Sequence, residues 1–179
     1  MQILHLYYSS TGNTQKVAET IDKALEDLGH QVESVSVKKL SGDLELLDYD
    51  MVFAGSGVYE WLPGKSMQEL FGSLRKKYAD TGDIRPASPK RPDKKAVVYC
   101  TYGGVHTGIN EAVPAVKYMA QLFDHLGFQI LAEWYVPGAY VPEKMKAFSE
   151  GGRLGDIRGR PDEHDLKAVA ESVKGILRV

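Results

Sequence analysis

The chain has 179 residues, of which 43% are hydrophobic and 26% are charged. This length suits a single domain over 1–179, and the composition excludes both an intrinsically disordered chain and a miniprotein held by disulfides. The formal net charge of −2 gives no overall field that would attract nucleic acid or an anionic membrane surface.

The single cysteine, Cys100, has no second thiol with which to form an internal disulfide. No secretory signal precedes the first predicted strand, and no apolar stretch is long enough to cross a bilayer. We therefore expect a protein of the reducing cytoplasm, with no membrane insertion and no nucleic-acid partner.

Strands and helices alternate through the first half of the chain. Short apolar runs predict buried strands, and apolar residues at helical spacing predict helices. Gly29 directly follows the first helical pattern and is a typical helix stop. The predicted strands cover 2–8, 32–37 and 51–54, and the predicted helices cover 17–28 and 65–78.

The second half continues this alternation after a polar stretch over 79–95, whose three prolines predict a surface loop. Segment 138–162 is rich in glycine, proline and charge, and it is predicted to be an irregular excursion before the last helix. No chemistry is assigned to it. The remaining predicted strands cover 96–101 and 129–136, and the remaining helices cover 114–126 and 166–177.

Five strands separated by helices favour a parallel sheet, because each return in the same direction needs a crossover connection. Right-handed crossovers place helices on both faces of such a sheet. The predicted architecture is therefore a three-layer α/β/α sandwich around a five-stranded parallel sheet.

The loop between the first strand and the first helix is dense in small polar residues. A helix amino terminus offers unpaired N–H groups and a partial positive charge, so short hydroxyls around one glycine suit a phosphate there. Helix capping alone is the alternative, since Ser, Thr and Asn are favoured at helix starts in any case. Four hydroxyls exceed what a cap needs, so anion binding is the preferred interpretation of Ser9, Ser10, Thr11, Gly12, Asn13 and Thr14.

This loop resembles the FMN-phosphate loop of the flavodoxin family, which reads Thr or Ser, any residue, Thr, Gly, any residue, Thr. Ser9, Thr11, Gly12 and Thr14 match every fixed position, and a strand before and a helix after supply the required context. The resemblance, which extends to about Gly138, implies a flavodoxin-like fold with sheet order 2-1-3-4-5. Flavodoxin is itself a known example of that order, with FMN at the point where the strand order reverses.

In the resembled family, the loops after the third and fourth strands hold the flavin ring between them. Both loops here are rich in glycine and aromatic residues, which suit close backbone approach and ring stacking. Neither a catalytic nor a metal-binding residue is predicted. The resemblance implies ring contacts from Ser56, Gly57, Val58, Tyr59, Glu60 and Trp61 in one loop, and from Thr101, Tyr102, Gly103, Gly104, His106 and Gly108 in the other.

Tyr59 is the preferred stacking residue and Trp61 the second choice, with a core or partner-facing aromatic as the alternative for each. For Tyr102, packing beneath its loop is as good an interpretation as a contact with the flavin ring. For His106, a side chain that faces solvent is as good an interpretation as one that touches the ring. Glu60 directly follows the preferred stacking residue, at the position where many short-chain flavodoxins have glycine. Its Cβ is expected to resist a positive φ.

The resemblance implies noncovalent FMN binding and electron transfer between redox partners that dock transiently, with the chemistry supplied by the flavin. An electron carrier is preferred to a self-contained enzyme. The alternative is a flavodoxin-like NAD(P)H-dependent quinone or flavin oxidoreductase, whose loops resemble 55–59 and 103–111 here. A third hypothesis is a binding module that keeps the fold without FMN, against which the intact phosphate loop weighs.

Overall fold

The computed structural model describes residues 1–40 and 42–177. No helix in these ranges has the length and apolar character that a membrane span needs. The strands are β1 (Gln2–Tyr8), β2 (Gln31–Ser36), β3 (Met51–Tyr59), β4 (Leu62–Pro63), β5 (Arg91–Tyr102) and β6 (Phe128–Pro137). The helices are α1 (Asn13–Asp27), α2 (Lys65–Asp80), α3 (Val113–His125), α4 (Phe148–Gly151) and α5 (Glu163–Ile176), with 3₁₀ turns at Val37–Lys39, Leu46–Asp48, Gly108–Glu111 and Glu143–Met145.

The main sheet is parallel, with strand order β2-β1-β3-β5-β6. This order confirms the predicted five-stranded parallel sheet. The sequence-based prediction missed β4, a two-residue strand that pairs antiparallel with the end of β3. The third strand was predicted to end at Ala54, but it continues to Tyr59 because the glycine-rich segment remains extended and pairs with β5 and then with β4.

Helices cover both faces of the sheet and enclose two hydrophobic clusters. Alternate residues of β1 point to opposite faces, as the period of a strand requires. Ile3 belongs to the cluster under α1 and α5, whereas Leu4 and Leu6 belong to the cluster under α2 and α3. The three-layer prediction is therefore confirmed.

The loop predicted over 79–95 is shorter in the structure, because α2 continues to Asp80 and β5 begins at Arg91. The amide of Arg91 donates to the carbonyl of Gly127 over 2.7 Å. Its guanidinium pairs with Asp83 at 2.7 Å. The first contact holds the proline-containing start of β5 beside β6, and the second ties it to the turn after α2, where composition alone predicted irregular chain.

Segment 138–162 contains only short elements, namely one 3₁₀ turn and α4. Ser149, which is 2% exposed, organises it from within. The Ser149 hydroxyl accepts a hydrogen bond from the amide of Tyr140 at 2.9 Å, and the Ser149 carbonyl accepts one from the amide of Ile157 at 2.8 Å. The segment is thus irregular in secondary structure but internally bonded.

Tyr99 of β5 is fully buried directly against the backbone of Gly55. The Tyr99 hydroxyl lies 2.9 Å from Nε2 of the buried His5, whose Nδ1 lies 2.5 Å from the Asp22 carboxylate. A Cβ added to Gly55 would fall 1.9 Å from the Tyr99 ring. Because the ring is held at its hydroxyl end, it has little freedom to move aside.

We expect Gly55→Ala to destabilise the fold by about 1–3 kcal/mol, the usual cost of overpacking a core. Gly72→Ala is the matched control, since Gly72 lies inside α2 with open space around its Cβ position. That variant should gain about 0.5–1 kcal/mol from helix propensity. Urea unfolding of both variants measures the two effects, and equal stability of the two would contradict this account of the Gly55 contact.

Candidate cofactor site

Three loops meet at the carboxyl edge of the sheet, one after each of the neighbouring strands β1, β3 and β5. Two hydrogen bonds join them. The hydroxyls of Ser10 and Tyr59 lie 2.5 Å apart, which connects the first loop to the second. The hydroxyls of Thr14 and Thr101 lie 2.8 Å apart, which connects the first loop to the third. The structure therefore brings the three predicted loops into one site.

The first loop leaves the amino terminus of α1 without a side-chain cap. The N-cap residue is Gly12, at φ 99°, in the left-handed region that glycine adopts without strain. Its amide donates to the Ser9 hydroxyl at 3.1 Å. Beyond this bond, no side chain of the described residues caps the first-turn amides of α1, so capping does not account for the other hydroxyls. No atom of residues 1–40 or 42–177 lies within 4 Å of the Cβ position of Gly12, so the approach to the loop is open on that side.

The polar side chains of this loop divide into two groups. Ser10 and Thr11 are exposed, whereas Thr14 is only 2% exposed. Asn13 turns away from its own helix, and its side-chain amide donates to the carbonyl of Ala139 at 2.8 Å. Asn13 and Thr14 therefore also hold neighbouring segments against the loop. In the exposed pair of Ser10 and Tyr59, the hydroxyl that accepts keeps its own O–H, which remains able to donate to an anion.

The second loop is a tight hairpin between β3 and β4. Its two turn residues, Glu60 and Trp61, have φ values of 48° and 68°. Both angles are positive, as two-residue hairpins of the commonest kind require, although neither residue is glycine. The expectation that the Cβ of Glu60 would keep it from a positive φ is wrong. Strand pairing of Tyr59 with Leu62 holds the turn closed and imposes the strained angles.

Two aromatic side chains of this hairpin are exposed. Trp61 is 62% exposed and Tyr59 is 39% exposed, so neither is a core residue. The Tyr59 ring folds over Gly57 and meets Tyr8 edge-on with centroids 5.8 Å apart. Burial raises the pKa of its phenol. The rings of Tyr59 and Trp61 therefore lie at the surface of the site, where a planar ligand can stack on them.

Ser56 and Val58 belong to the support of the hairpin. The fully buried Ser56 hydroxyl donates to the carbonyl of Gly57 at 2.8 Å and accepts from the amide of Gly64 at 2.9 Å. Val58 is partly buried and packs on the core under α2 and α3. Their side chains face inward, so of these two residues only the backbone can contact a ligand.

The third loop is held by its own hydrogen bonds. Glu111 accepts from the amides of His106 and Thr107, each at 2.6 Å. Gly104 and Gly108 adopt φ values of 55° and 69° and approach so closely that a Cβ on Gly104 would collide with the backbone of Gly108. The His106 side chain is exposed. The loop thus has a preformed backbone, with glycine where the chain crosses itself.

Two residues before this loop lie in the core. Tyr102 is 7% exposed and belongs to the core under α2 and α3, so it packs beneath its loop as one of the two expectations had it. Burial raises the pKa of the Tyr102 phenol. Cys100 is fully buried, and burial strongly raises the pKa of its thiol, which is therefore not a reactive thiolate.

Segment 138–162 forms a fourth wall that sequence reasoning did not include in the site. The Tyr140 ring packs on Gly103, where an added Cβ would fall 2.2 Å from it. The amide of Arg153 donates to the carbonyl of Val105 at 2.9 Å. With the bond from Asn13 to Ala139, the segment touches both the first and the third loop. These contacts join residues far apart in sequence, so no local pattern pointed to them.

We expect Thr14→Val and Thr101→Val each to destabilise the protein by about 1–3 kcal/mol, because each leaves one buried hydroxyl without its partner. The double variant should cost less than the sum of the two single changes. Thr20→Val, in the same helix but at a less buried position, is the control. Chemical unfolding measures all four proteins, and strict additivity would show that the two hydroxyls do not interact.

Comparisons with known proteins agree with this architecture. The family model of the flavodoxin domain matches residues 4–81. Oxidised flavodoxin 1 from Bacillus cereus gives a TM-score of 0.69 at 12% identity, with 99% of this chain and 98% of that chain covered. A flavodoxin from the domain Archaea gives 0.61 at 18% identity, with 99% and 97% covered. The search of curated proteins found no match.

A larger protein contains the same fold as one part. Rubredoxin oxygen:oxidoreductase from Desulfovibrio gigas gives a TM-score of 0.56 at 14% identity, with 99% of this chain but 37% of that chain covered. At these identities the solved structures establish the fold. The domain match over residues 4–81 and the flavodoxin-like fold of the described chain together show that this protein is similar to the flavodoxins.

Proposed function

We propose that this chain binds FMN noncovalently at the carboxyl edge of the sheet and transfers electrons between redox partners. The observation that carries this proposal is the open amino terminus of α1. Within the part of the chain that the structure describes, its first-turn amides have no side-chain cap, and exposed hydroxyls lie beside them in a loop without a cationic residue. A helix terminus of this kind favours an anion.

The residues present fit the phosphate of FMN. The amides of Asn13 and Thr14 in the first turn, together with the hydroxyls of Ser10 and Thr11, can donate to phosphate oxygens. Gly12 leaves the approach open because nothing occupies its Cβ direction. Each hydrogen bond to a charged group is worth about 1.5–3 kcal/mol, so a few of them hold a dianion without lysine or arginine.

The flavin ring is proposed to lie between the hairpin after β3 and the loop after β5. Tyr59 and Trp61 offer exposed aromatic faces, and Gly103 and Gly104 allow close approach of backbone amides. When bound, FMN supplies reversible one- and two-electron chemistry. The chain positions the ring and shields part of it from water. The exposure of Trp61 favours a ring edge near the surface, where a partner can approach.

The low net charge of −2 indicates that docking does not depend on a strong overall field. Transient partners would then recognise the local surface around the hairpin and the third loop. The flavodoxins among the structural neighbours support a redox role for this site.

The alternative function, an NAD(P)H-dependent quinone or flavin oxidoreductase, is favoured by the fourth wall. Tyr140 packs on Gly103, and Phe148 meets Tyr140 edge-on at 5.8 Å while remaining 44% exposed. This pair adds an aromatic rim beside the proposed ring site. A planar substrate could use such a rim, which a carrier does not require.

We expect Thr11→Glu to abolish FMN binding while leaving riboflavin binding within about threefold, because the new carboxylate repels only the phosphate. Thr11 suits this test because it is exposed, whereas a charge at the buried Thr14 would also disturb the fold. Quenching of flavin fluorescence measures both ligands. Ser73→Glu, an exposed position on α2, is the equal-charge control and should keep wild-type affinity for both.

If Thr11→Glu leaves the ratio of FMN to riboflavin affinity unchanged, the phosphate does not bind at residues 9–14. A protein that takes up neither flavin would support the binding module without FMN.

A kinetic experiment separates the carrier from the reductase. We expect the FMN-loaded protein, once reduced with dithionite, to pass electrons to cytochrome c, while NADH and NADPH reduce it slowly and without saturation. Stopped-flow absorbance at the flavin band follows both reactions. Rapid, saturable oxidation of either nicotinamide would establish the reductase instead.

A further inference from the structure

A second surface feature lies away from the proposed cofactor site, in the groove between α1 and α5. This groove encloses about 510 Å³ and lies over the face of the sheet that these two helices cover. Leu166, Ala24 and Ala170 contribute apolar surface to it. A groove with small side chains along its length leaves room for an apolar side chain of another molecule.

Four lysines line this groove in a regular arrangement. Lys16 and Lys23 lie on α1, and Lys167 and Lys174 lie on α5. The two lysines on each helix are seven residues apart, which corresponds to two turns, or about 10.5 Å. Because α1 and α5 both follow strands of one parallel sheet, they run in the same direction. Lys16 and Lys167 lie in the first half of their helices and Lys23 and Lys174 in the second half, so the lysines are arranged as two pairs along the groove, about two helical turns apart.

The charge of the groove is only partly balanced. Its lining includes two acidic residues, Glu19 and Asp27, against the four lysines. Asp27 lies 3.9 Å from Lys23, and both side chains are exposed, so this pair contributes little. Lys174 pairs with Glu171 at 2.9 Å on its own helix, also at the surface, whereas Lys16 and Lys167 make no ion pair with another described residue. The groove is thus locally positive on a chain whose net charge is −2.

We propose that this groove docks an acidic amphipathic helix of a partner protein. A helix in a groove presents residues at heptad spacing, and those residues recur at the same 10.5 Å interval, roughly, as the two lysine pairs. Carboxylates flanking an apolar stripe meet both pairs at once, while the stripe covers Ala24, Leu166 and Ala170. A small anion could bind one or two of the lysines, but it would leave the apolar surface uncovered. It would also be too short to contact lysines two helical turns apart.

This docking surface is independent of the proposed flavin site. The groove lies between α1 and α5, and none of the residues that line it belongs to the three loops at the carboxyl edge. The inference therefore stands whether or not the chain binds FMN.

The test uses the full chain and a synthetic peptide of about 20 residues, long enough to form a helix in water, with leucines along one face and glutamates flanking them. Fluorescence anisotropy of the labelled peptide measures binding at low and at physiological salt. A scrambled peptide of the same composition has the same charge without an amphipathic face. We expect the wild-type protein to bind the amphipathic peptide at least tenfold more tightly than the scrambled one.

Charge reversal in the groove supplies the second measurement. Lys23→Glu combined with Lys167→Glu, one change on each helix, should weaken amphipathic peptide binding at least tenfold. Lys65→Glu combined with Lys76→Glu is the matched control, since both lysines are exposed on α2, on the opposite face of the sheet, and Lys76 has an (i, i+4) partner as Lys23 does. The control should bind as the wild type does.

Circular dichroism of both double variants establishes that the fold is intact, since all four side chains lie at the surface of helices. Equal binding of the scrambled and the amphipathic peptide would overturn the proposal, because only a nonspecific field would then operate. So would equal loss of binding in the groove variant and in the α2 control.

Discussion

The parallel register of β1, β3 and β5 is the constraint on which the candidate site depends. Tyr8, the last residue of β1, lies opposite Ser56, and Gly57 lies opposite Thr101. Because these pairs are level, the chain leaves all three strands at the same edge. A shift of one residue would move every side chain of a strand to the other face and would separate the hydroxyl pairs that join the loops.

That register also explains why small residues are concentrated at the edge. Ser56 and Thr101 are buried there, yet each finds a hydrogen-bonding partner within the site. A buried hydroxyl without a partner costs free energy, whereas a bonded one holds two segments in a defined relation. The loops are therefore positioned by the same interactions that keep the edge of the core stable, so the backbone of the candidate site is largely preformed.

Periodicity predicted the parallel sheet and both helical layers, whereas the sheet order was implied by the resemblance to flavodoxin that the motif after the first strand carries. The hairpin at Glu60 and Trp61 was not predicted, since tertiary pairing overrides the local preference against positive φ. The hydrogen bond from the amide of Gly64 to the buried Ser56 hydroxyl spans the hairpin, which no local pattern indicates. The contact of Tyr140 with Gly103 is likewise invisible in sequence, because it joins distant segments.

The anchoring of segment 138–162 has a consequence for comparing this chain with shorter relatives. Surface connections usually tolerate changes in length, because few contacts bind them to the rest of a molecule. Here backbone or side-chain bonds tie the segment to Tyr102, Val105 and Asn13. A deletion within the segment would displace the loops after β1 and β5, to which these bonds attach it. Moving the segment into a homologue would therefore require moving its contact residues as well.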